Sequence, residues 1–389
     1  MKRKKLLTVA GSVCLTLVLA ALLLPACAPA VEPGTAEIAA LQKEVAALEK
    51  EVAKLEAAAL VPAEVFKWRM QILLGRGEEE NMMLNRMSDM IREASDGRLD
   101  ISNFWAGELI PSKEAFDALT AGTIDLLNSS TGYHFGFFPA TLMMQFLPGG
   151  MRSPDDAVHL SLSEEWHFVE ILRDAYAEYG AYYVGPNGVG AYKYDVMLTE
   201  PIERLDDLGE LKIRSYGMTS ELLAMTGAGM VYLPAEEIYT SVATGVVDGA
   251  TWTSYAGCAA MKYHEIMKYY VELPGTRGII GNGNLAYPPA WDALPDDLKL
   301  VLSYYSDWID GQCTQKFALS DKIWKEKMQE EWGVTIITLN EEDTEKWLAI
   351  GRDYWKVIAA NSPRSREWIE YIAEWMKWRG YLEPDWTLD

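Results

Sequence analysis

Residues 205–217, LDDLGELKIRSYG, then 230–245, MVYLPAEEIYTSVATG, then 246–252, VVDGATW, carry the grammar of alternating strands and helix. From Leu211 to Ser215 apolar and polar residues alternate, so a strand there turns Leu211 and Ile213 to a core and Lys212 and Arg214 to the other face. Val231–Leu233 is a short apolar run. Pro234 then opens a helix whose first turn holds Glu236 and Glu237, where the positive end of the helix dipole favours carboxylates. Gly245 stops it, and Val246 and Val247 lead into a strand that carries Asp248, Gly249 and, at its far end, Trp252. Parallel strands joined by a crossover helix collect ligands beyond their carboxyl ends. Arg214 and Trp252 are therefore the first candidates for a binding site.

The same unit occurs earlier. EAFDALTAGTID (residues 114–125) aligns without a gap on EIYTSVATGVVD (residues 237–248), placing Gly122 over Gly245 and Asp125 over Asp248. Ser112 reads as the N-cap of the first copy's helix, and Thr123–Leu127 as its strand. With Phe66–Leu74 as a strand, Glu78–Ala94 as a helix and Arg98–Phe104 as a strand, the chain predicts two similar α/β lobes. Asn187-Gly188-Val189-Gly190 is a glycine-rich crossing between them, where glycine permits hinge torsions. Ile279–Leu285 is the expected return strand, Val334–Leu339 a late strand, and the tail to Leu382 is helical and rich in tryptophan.

The run L-x-I-R followed by L-P-x-x-E-I-Y-T-x-x-x-x-G-V-V-D-G-x-x-W resembles the signature of the solute-binding proteins of tripartite ATP-independent periplasmic (TRAP) transporters, over roughly Phe66 to Leu382. The resemblance implies a two-lobed periplasmic-binding-protein-like fold, with a hinge between the lobes and long C-terminal helices that brace both. It also implies a small organic acid as ligand and membrane-embedded permease subunits as partners. The expected layout is residues 66–188 with 278–340 for one lobe, 189–277 for the other, and 341–389 for the closing helices.

In that family an arginine at the position of Arg214 clamps the solute's carboxylate. A guanidinium offers a planar fork that matches a carboxylate with two parallel hydrogen bonds. The competing role is an interlobe or surface salt bridge. Trp252 stands where the branch binding 2-oxo acids and related small carboxylates has a tryptophan, although in a chain with 14 tryptophans core packing is the competing role.

That branch commonly has an acidic residue just before this tryptophan and a glutamine in the crossing loop, which help to hold a metal ion bridging to the solute. Here the matching positions are Thr251 and Tyr192. Neither carries a charge at neutral pH, so the expectation is direct binding with no metal and no cofactor, Thr251 and Tyr192 serving as hydrogen-bond donors. Tyr133 and Asn128 follow the first repeat's strand and face the cleft by internal symmetry, unless they are plain turn residues. Tyr216 and Asn187 are further candidates of the same kind.

The 389 residues are 49% hydrophobic and 24% charged, a soluble globular composition. A formal net charge of -22 argues against nucleic acid or anionic lipid as a partner. Only four histidines and four cysteines (Cys14, Cys27, Cys258, Cys313) are present, without CxxC spacing, so a zinc site is not expected, and a Cys258–Cys313 disulfide is left open.

The leader, residues 1–27, has a basic head (Lys2, Arg3, Lys4, Lys5), an apolar run from Leu6 to Leu24 and Leu24-Pro25-Ala26-Cys27, which resembles a lipobox in which Cys27 would be diacylated. The alternatives are an uncleaved anchor or an ordinary signal peptide. Each puts the protein outside the cytoplasmic membrane.

Residues 28–62 form a linker and stalk. Ile38, Leu41, Val45, Leu48, Val52 and Leu55 make a heptad seam that suits a parallel two-stranded coiled coil, while Glu37, Glu44, Glu49, Glu51 and Glu56 oppose symmetric pairing. Self-association through residues 37–59 and a solitary spacer helix both remain open. No GxSxG, HExxH or P-loop motif is present, and Gly281-Asn-Gly-Asn-Leu-Ala286 is discarded as a dinucleotide site because Pro288 and Pro289 stand where a helix should begin. Tyr263-His264-Glu265 reads as a solvated helix face. The reading is an extracytoplasmic TRAP-type solute receptor. An extracytoplasmic enzyme acting on a carboxylate in the same cleft, or a structural surface protein built on the stalk, are the competing classes.

Overall fold

The computed structural model describes residues 40, 42–51, 64–73, 79–130, 133, 153, 155–156, 159–160, 163, 165–186, 193, 195–276 and 282–389. The chain divides into two units, Met1–Glu64 and Val65–Asp389. In the first, residues 40 and 42–51 are helical, as the heptads require, and Leu48 is 57% exposed. The leader with Cys27, the rest of the stalk, the glycine-rich crossing, Asn187 and Tyr192 lie outside the described residues.

The second unit begins with β1 (Phe66–Ile72), α1 (Glu79–Ala94), β2 (Leu99–Phe104), α2 (Ala115–Thr120) and β3 (Leu126–Ser130). It continues through α3 (Phe168–Ala177) and β4 (Tyr182–Pro186) into β5 (Val196–Leu198), β6 (Lys212–Arg214), α4 (Gly217–Ala224), β7 (Gly229–Val231), α5 (Ala235–Ala243), β8 (Gly249–Thr251), α6 (Tyr255–Ala260) and β9 (Tyr269–Glu272). The chain then returns as β10 (Asn282–Ala286), followed by α7 (Pro288–Ala293), α8 (Asp296–Glu330), β11 (Thr335–Thr338), α9 (Glu341–Asn361) and α10 (Pro363–Trp378).

These strands form a five-stranded sheet, β2-β1-β3-β10-β4, and a six-stranded sheet, β11-β9-β5-β8-β6-β7. In the first, β1 runs parallel to β2 and β3; in the second, β6 runs parallel to β7 and β8. This is the two-lobed α/β arrangement expected from the repeat. Gly122 and Gly245 occupy equivalent helix ends with φ of 72° and 73°, a left-handed backbone that glycine adopts without a Cβ penalty.

Apolar alternation places the cores. Met70, Ile72, Leu84, Met87, Leu99, Leu298 and Leu302 are buried together between the first sheet, α1 and α8, while Ile238, Val242, Ala250, Tyr263 and Met267 fill the core of the second sheet. Trp347, Trp355, Trp368 and Trp375 on α9 and α10 join a third cluster with Leu222 and Leu223 of α4. The 35-residue α8, about 50 Å long at helical rise, packs on α1 and β4 of the first sheet unit and on α6 of the second. This helix, placed by sequence within one lobe, thus bridges both sheet units.

Four local readings change. Residues 335–338, placed by sequence in the first lobe, pair in parallel with β9 of the second sheet, because α8 carries the chain across before the strand begins. Ser112 makes no side-chain cap for its own turn, a 3-10 helix at Ser112–Glu114 that precedes α2. A helix does begin at Pro288, where proline suits the first position, but β10 before it is antiparallel to both neighbours, so no dinucleotide unit forms. Tyr263 is fully buried and His264 stacks on Trp332 with ring centroids 3.7 Å apart, so of that stretch only Glu265 is a solvated face. Cys258 and Cys313 are buried thiols without a disulfide.

Candidate functional site

Arg214 ends β6, with β7 and β8 parallel on either side. Strand alternation sends Ile213 into the core and Arg214 to the opposite face, yet both are 0% exposed. The carboxyl ends of the flanking strands hold the guanidinium: Nε donates to the Leu233 carbonyl at 2.8 Å and Nη1 to the Thr251 carbonyl at 3.0 Å. Among the described residues, Nη2 has no hydrogen-bond partner. A buried guanidinium is expensive unless its donors are met, so this free edge favours an anionic acceptor.

Aromatic rings enclose that edge. The Arg214 Cζ lies 4.9 Å from the Tyr216 ring centroid and 5.4 Å from that of Trp252. Such cation–π packing fixes the guanidinium plane and excludes water from its faces. Tyr133, which follows β3 of the other sheet, packs on Tyr216 with centroids 5.1 Å apart and an interplanar angle of 35°. The Tyr133 hydroxyl and the Trp252 Nε1 are buried and have no partner among the described residues. Burial pushes the Tyr133 hydroxyl well above its ordinary range, opposed by nearby Arg214, so it stays a proton donor.

The other sequence candidates are placed differently. The Thr251 hydroxyl donates to Ser215 Oγ at 2.8 Å, and the residue serves Arg214 through its carbonyl instead. The Asn128 Nδ2 donates to Asn284 Oδ1 at 2.9 Å, and Asn284 in turn donates to Ser306 Oγ at 3.0 Å, a network inside the first sheet unit. Tyr192 and Asn187 lie outside the described residues. Sequence reasoning missed Leu233, which acts through its backbone and has no side-chain signal.

Two sheets of this topology, with a buried arginine at the carboxyl ends of parallel strands and aromatic rings reaching it from both sides, define a two-lobed solute-binding protein. The family model for bacterial extracellular solute-binding protein, family 7, matches residues 75–362. The chain belongs to this family, the solute-binding proteins of TRAP transporters, which bind solutes and are not catalysts. Its setting is extracytoplasmic.

Among curated proteins, the chain is similar to a monocarboxylate 2-oxoacid-binding periplasmic protein from Nostoc, 24% identical over 241 residues, covering 60% of this chain and 64% of that one. It spans about three-fifths of the length of the first curated relatives it matches. Among solved structures, a TRAP solute-binding protein from Bordetella bronchiseptica with copurified calcium and picolinate superposes with a TM-score of 0.74 at 18% identity, covering 82% of this chain and 95% of that one. One from Colwellia psychrerythraea with bound calcium and pyruvate gives 0.74 at 20% identity, covering 82% and 96%. At these identities the superpositions establish the fold.

Among the described residues, those beside Trp252 do not fit a calcium ion of that kind. Calcium takes six to eight oxygen ligands, carboxylates prominent among them. The residue before Trp252 is a threonine, which brings no carboxylate; its hydroxyl donates to Ser215 and its carbonyl accepts from Arg214. Among the described residues, no group of three or more His, Cys, Asp or Glu comes together.

Proposed function

We propose that this receptor binds a small organic acid of the 2-oxo acid kind, its carboxylate seated directly on Arg214 and its second oxygen facing the Tyr133 hydroxyl and the Trp252 indole N–H. The observation that carries this reading is the fully buried guanidinium with two donors tied to carbonyls and Nη2 left over. Buried N–H and O–H donors left without an acceptor among the described residues suit an acceptor-rich ligand. The name of the Nostoc relative and the pyruvate in the Colwellia protein support the same ligand class.

The remaining parts of the reading follow from family and leader. Residues 66–188 with the returning β10 act as one lobe and 189–277, joined by β11, as the other, with 341–389 as the helical brace. Lobe closure over the solute creates the surface read by membrane-embedded permease subunits. Cys27 carries the lipid that tethers the protein, and the heptad stalk holds it off the membrane. A thermal-shift panel of 2-oxo, hydroxy, dicarboxylic and aromatic acids tests the ligand class. At about 100 times its Kd a true ligand adds about 2.7 kcal/mol of stability, and a panel in which no acid raises the melting point rejects the reading.

A further inference from the structure

We propose that Glu236 and Ser112 form a latch across the mouth of the cleft, a positioning pair that slows solute release without touching the solute. Glu236 is the second residue of α5, where the helix dipole favours its carboxylate and the short first turn restricts it. Its Oε2 accepts a hydrogen bond from Ser112 Oγ at 3.3 Å. Ser112 belongs to the first sheet unit, between β2 and α2, and α5 belongs to the second, between β7 and β8. The Ser112 hydroxyl, only 4% exposed as a residue, is turned across the cleft rather than spent on its own helix.

Two neighbours reinforce the contact. Gly107, on the same edge as Ser112, comes so close that a Cβ there would lie 3.7 Å from Glu236 Oε1. Lys113 holds its Nζ 5.5 Å from the centroid of the Tyr232 ring. Tyr232 and Glu236 flank Leu233, whose carbonyl fixes Arg214 Nε. The segment that meets the opposite lobe is thus the segment that positions the carboxylate anchor. Each contact joins residues of different sheets, so within this proposal it counts toward the closed state and favours that population in proportion to its strength.

This inference rests on the proposal that solute lies at Arg214, so the test has two arms. In the first, spin labels at Asp117→Cys and Thr240→Cys report the distance between lobes without solute. Ser112→Ala and Glu236→Ala should lengthen that distance, Glu236→Gln, which still accepts a hydrogen bond, should restore it, and the double alanine variant should add nothing to either single one. In the second arm, pyruvate should dissociate roughly tenfold faster from either alanine variant while its association rate holds. Unchanged distances in both single variants, or additive effects in the double variant, would overturn the latch. If pyruvate does not bind the parent protein, the ligand reading fails by itself and the distance arm still decides.

Discussion

Asp125 and Asp248 make the same pair of hydrogen bonds in the two sheets. Asp125 Oδ2 accepts from the Arg69 backbone N–H at 2.8 Å and its own N–H donates to the Arg69 carbonyl at 3.1 Å; Asp248 Oδ2 accepts from the Lys212 N–H at 2.8 Å and its N–H donates to the Lys212 carbonyl at 2.7 Å. Each aspartate therefore pins the entry of its strand to the neighbouring parallel strand, and in the second lobe that neighbour is the strand carrying Arg214. Replacing either with alanine should cost about 1–2 kcal/mol, the worth of a charge-assisted bond to backbone. Urea denaturation of the two variants checks this; an unchanged midpoint in both would show that the bonds are not structural.

Gly249, next to Asp248, is required for a different reason. A Cβ at that position would come 2.4 Å from the Met197 carbonyl oxygen and 2.6 Å from Leu198 Cδ2 on β5. The obstructing atom is backbone of the paired strand, so β8 has to move, and with it the Thr251 carbonyl that holds Arg214. Gly249→Ala should lose more than about 2 kcal/mol of stability and weaken ligand binding together. Wild-type melting behaviour would contradict this.

Asp195 supplies a pH test. Its Oδ1 accepts from the Leu273 N–H at 2.8 Å and from Thr276 Oγ1 at 3.3 Å. Burial raises its pKa from 3.8 to about 6, against the downward pull of Lys193 and the Leu273 N–H. The folded state thus holds this proton more tightly than the unfolded chain, so the group's contribution to stability falls as pH rises from about 4 to about 6 and stays low above it. Asp195→Asn keeps an acceptor and removes the charge. The stability gap between variant and wild type should grow across that window to on the order of 2 kcal/mol at neutral pH. A gap independent of pH would contradict it.

Binding without a bridging metal predicts that EDTA leaves pyruvate affinity within about twofold, because Thr251, not a carboxylate, precedes Trp252 where a hard cation would be held. The measurement is calorimetric titration with and without chelator, with calcium added back. A tenfold loss restored by calcium would place a cation in the site.

The repeat, the turn glycines and the strand carrying Arg214 were legible because each depends on short-range chemistry: a helix that must stop at Gly122 or Gly245, and an alternation that splits Ile213 from Arg214. What depended on long-range delivery was not. The length of α8 decides which sheet receives Thr335–Thr338, and nothing within those four residues records it. Ser112 has the sequence of an N-cap, but the proximity of Glu236 from another lobe redirects its hydroxyl. Asn128 was read as following its strand and Thr251 as a ligand donor, yet Asn128 lies inside β3, and Asn284 and Ser215, brought beside the two by tertiary packing, take their hydrogen bonds. Leu233 holds the arginine through a carbonyl that every residue possesses.

The most direct measurement is the affinity of pyruvate, by calorimetric titration in chelator, for wild-type protein and for Arg214→Gln in a preparation whose melting curve shows it to be folded. The expected result is one-to-one binding by wild type and a loss of about tenfold to a hundredfold in the variant, the worth of a charge-assisted bond in a buried site. Equal affinity in the two proteins would contradict the placement of the carboxylate on Arg214.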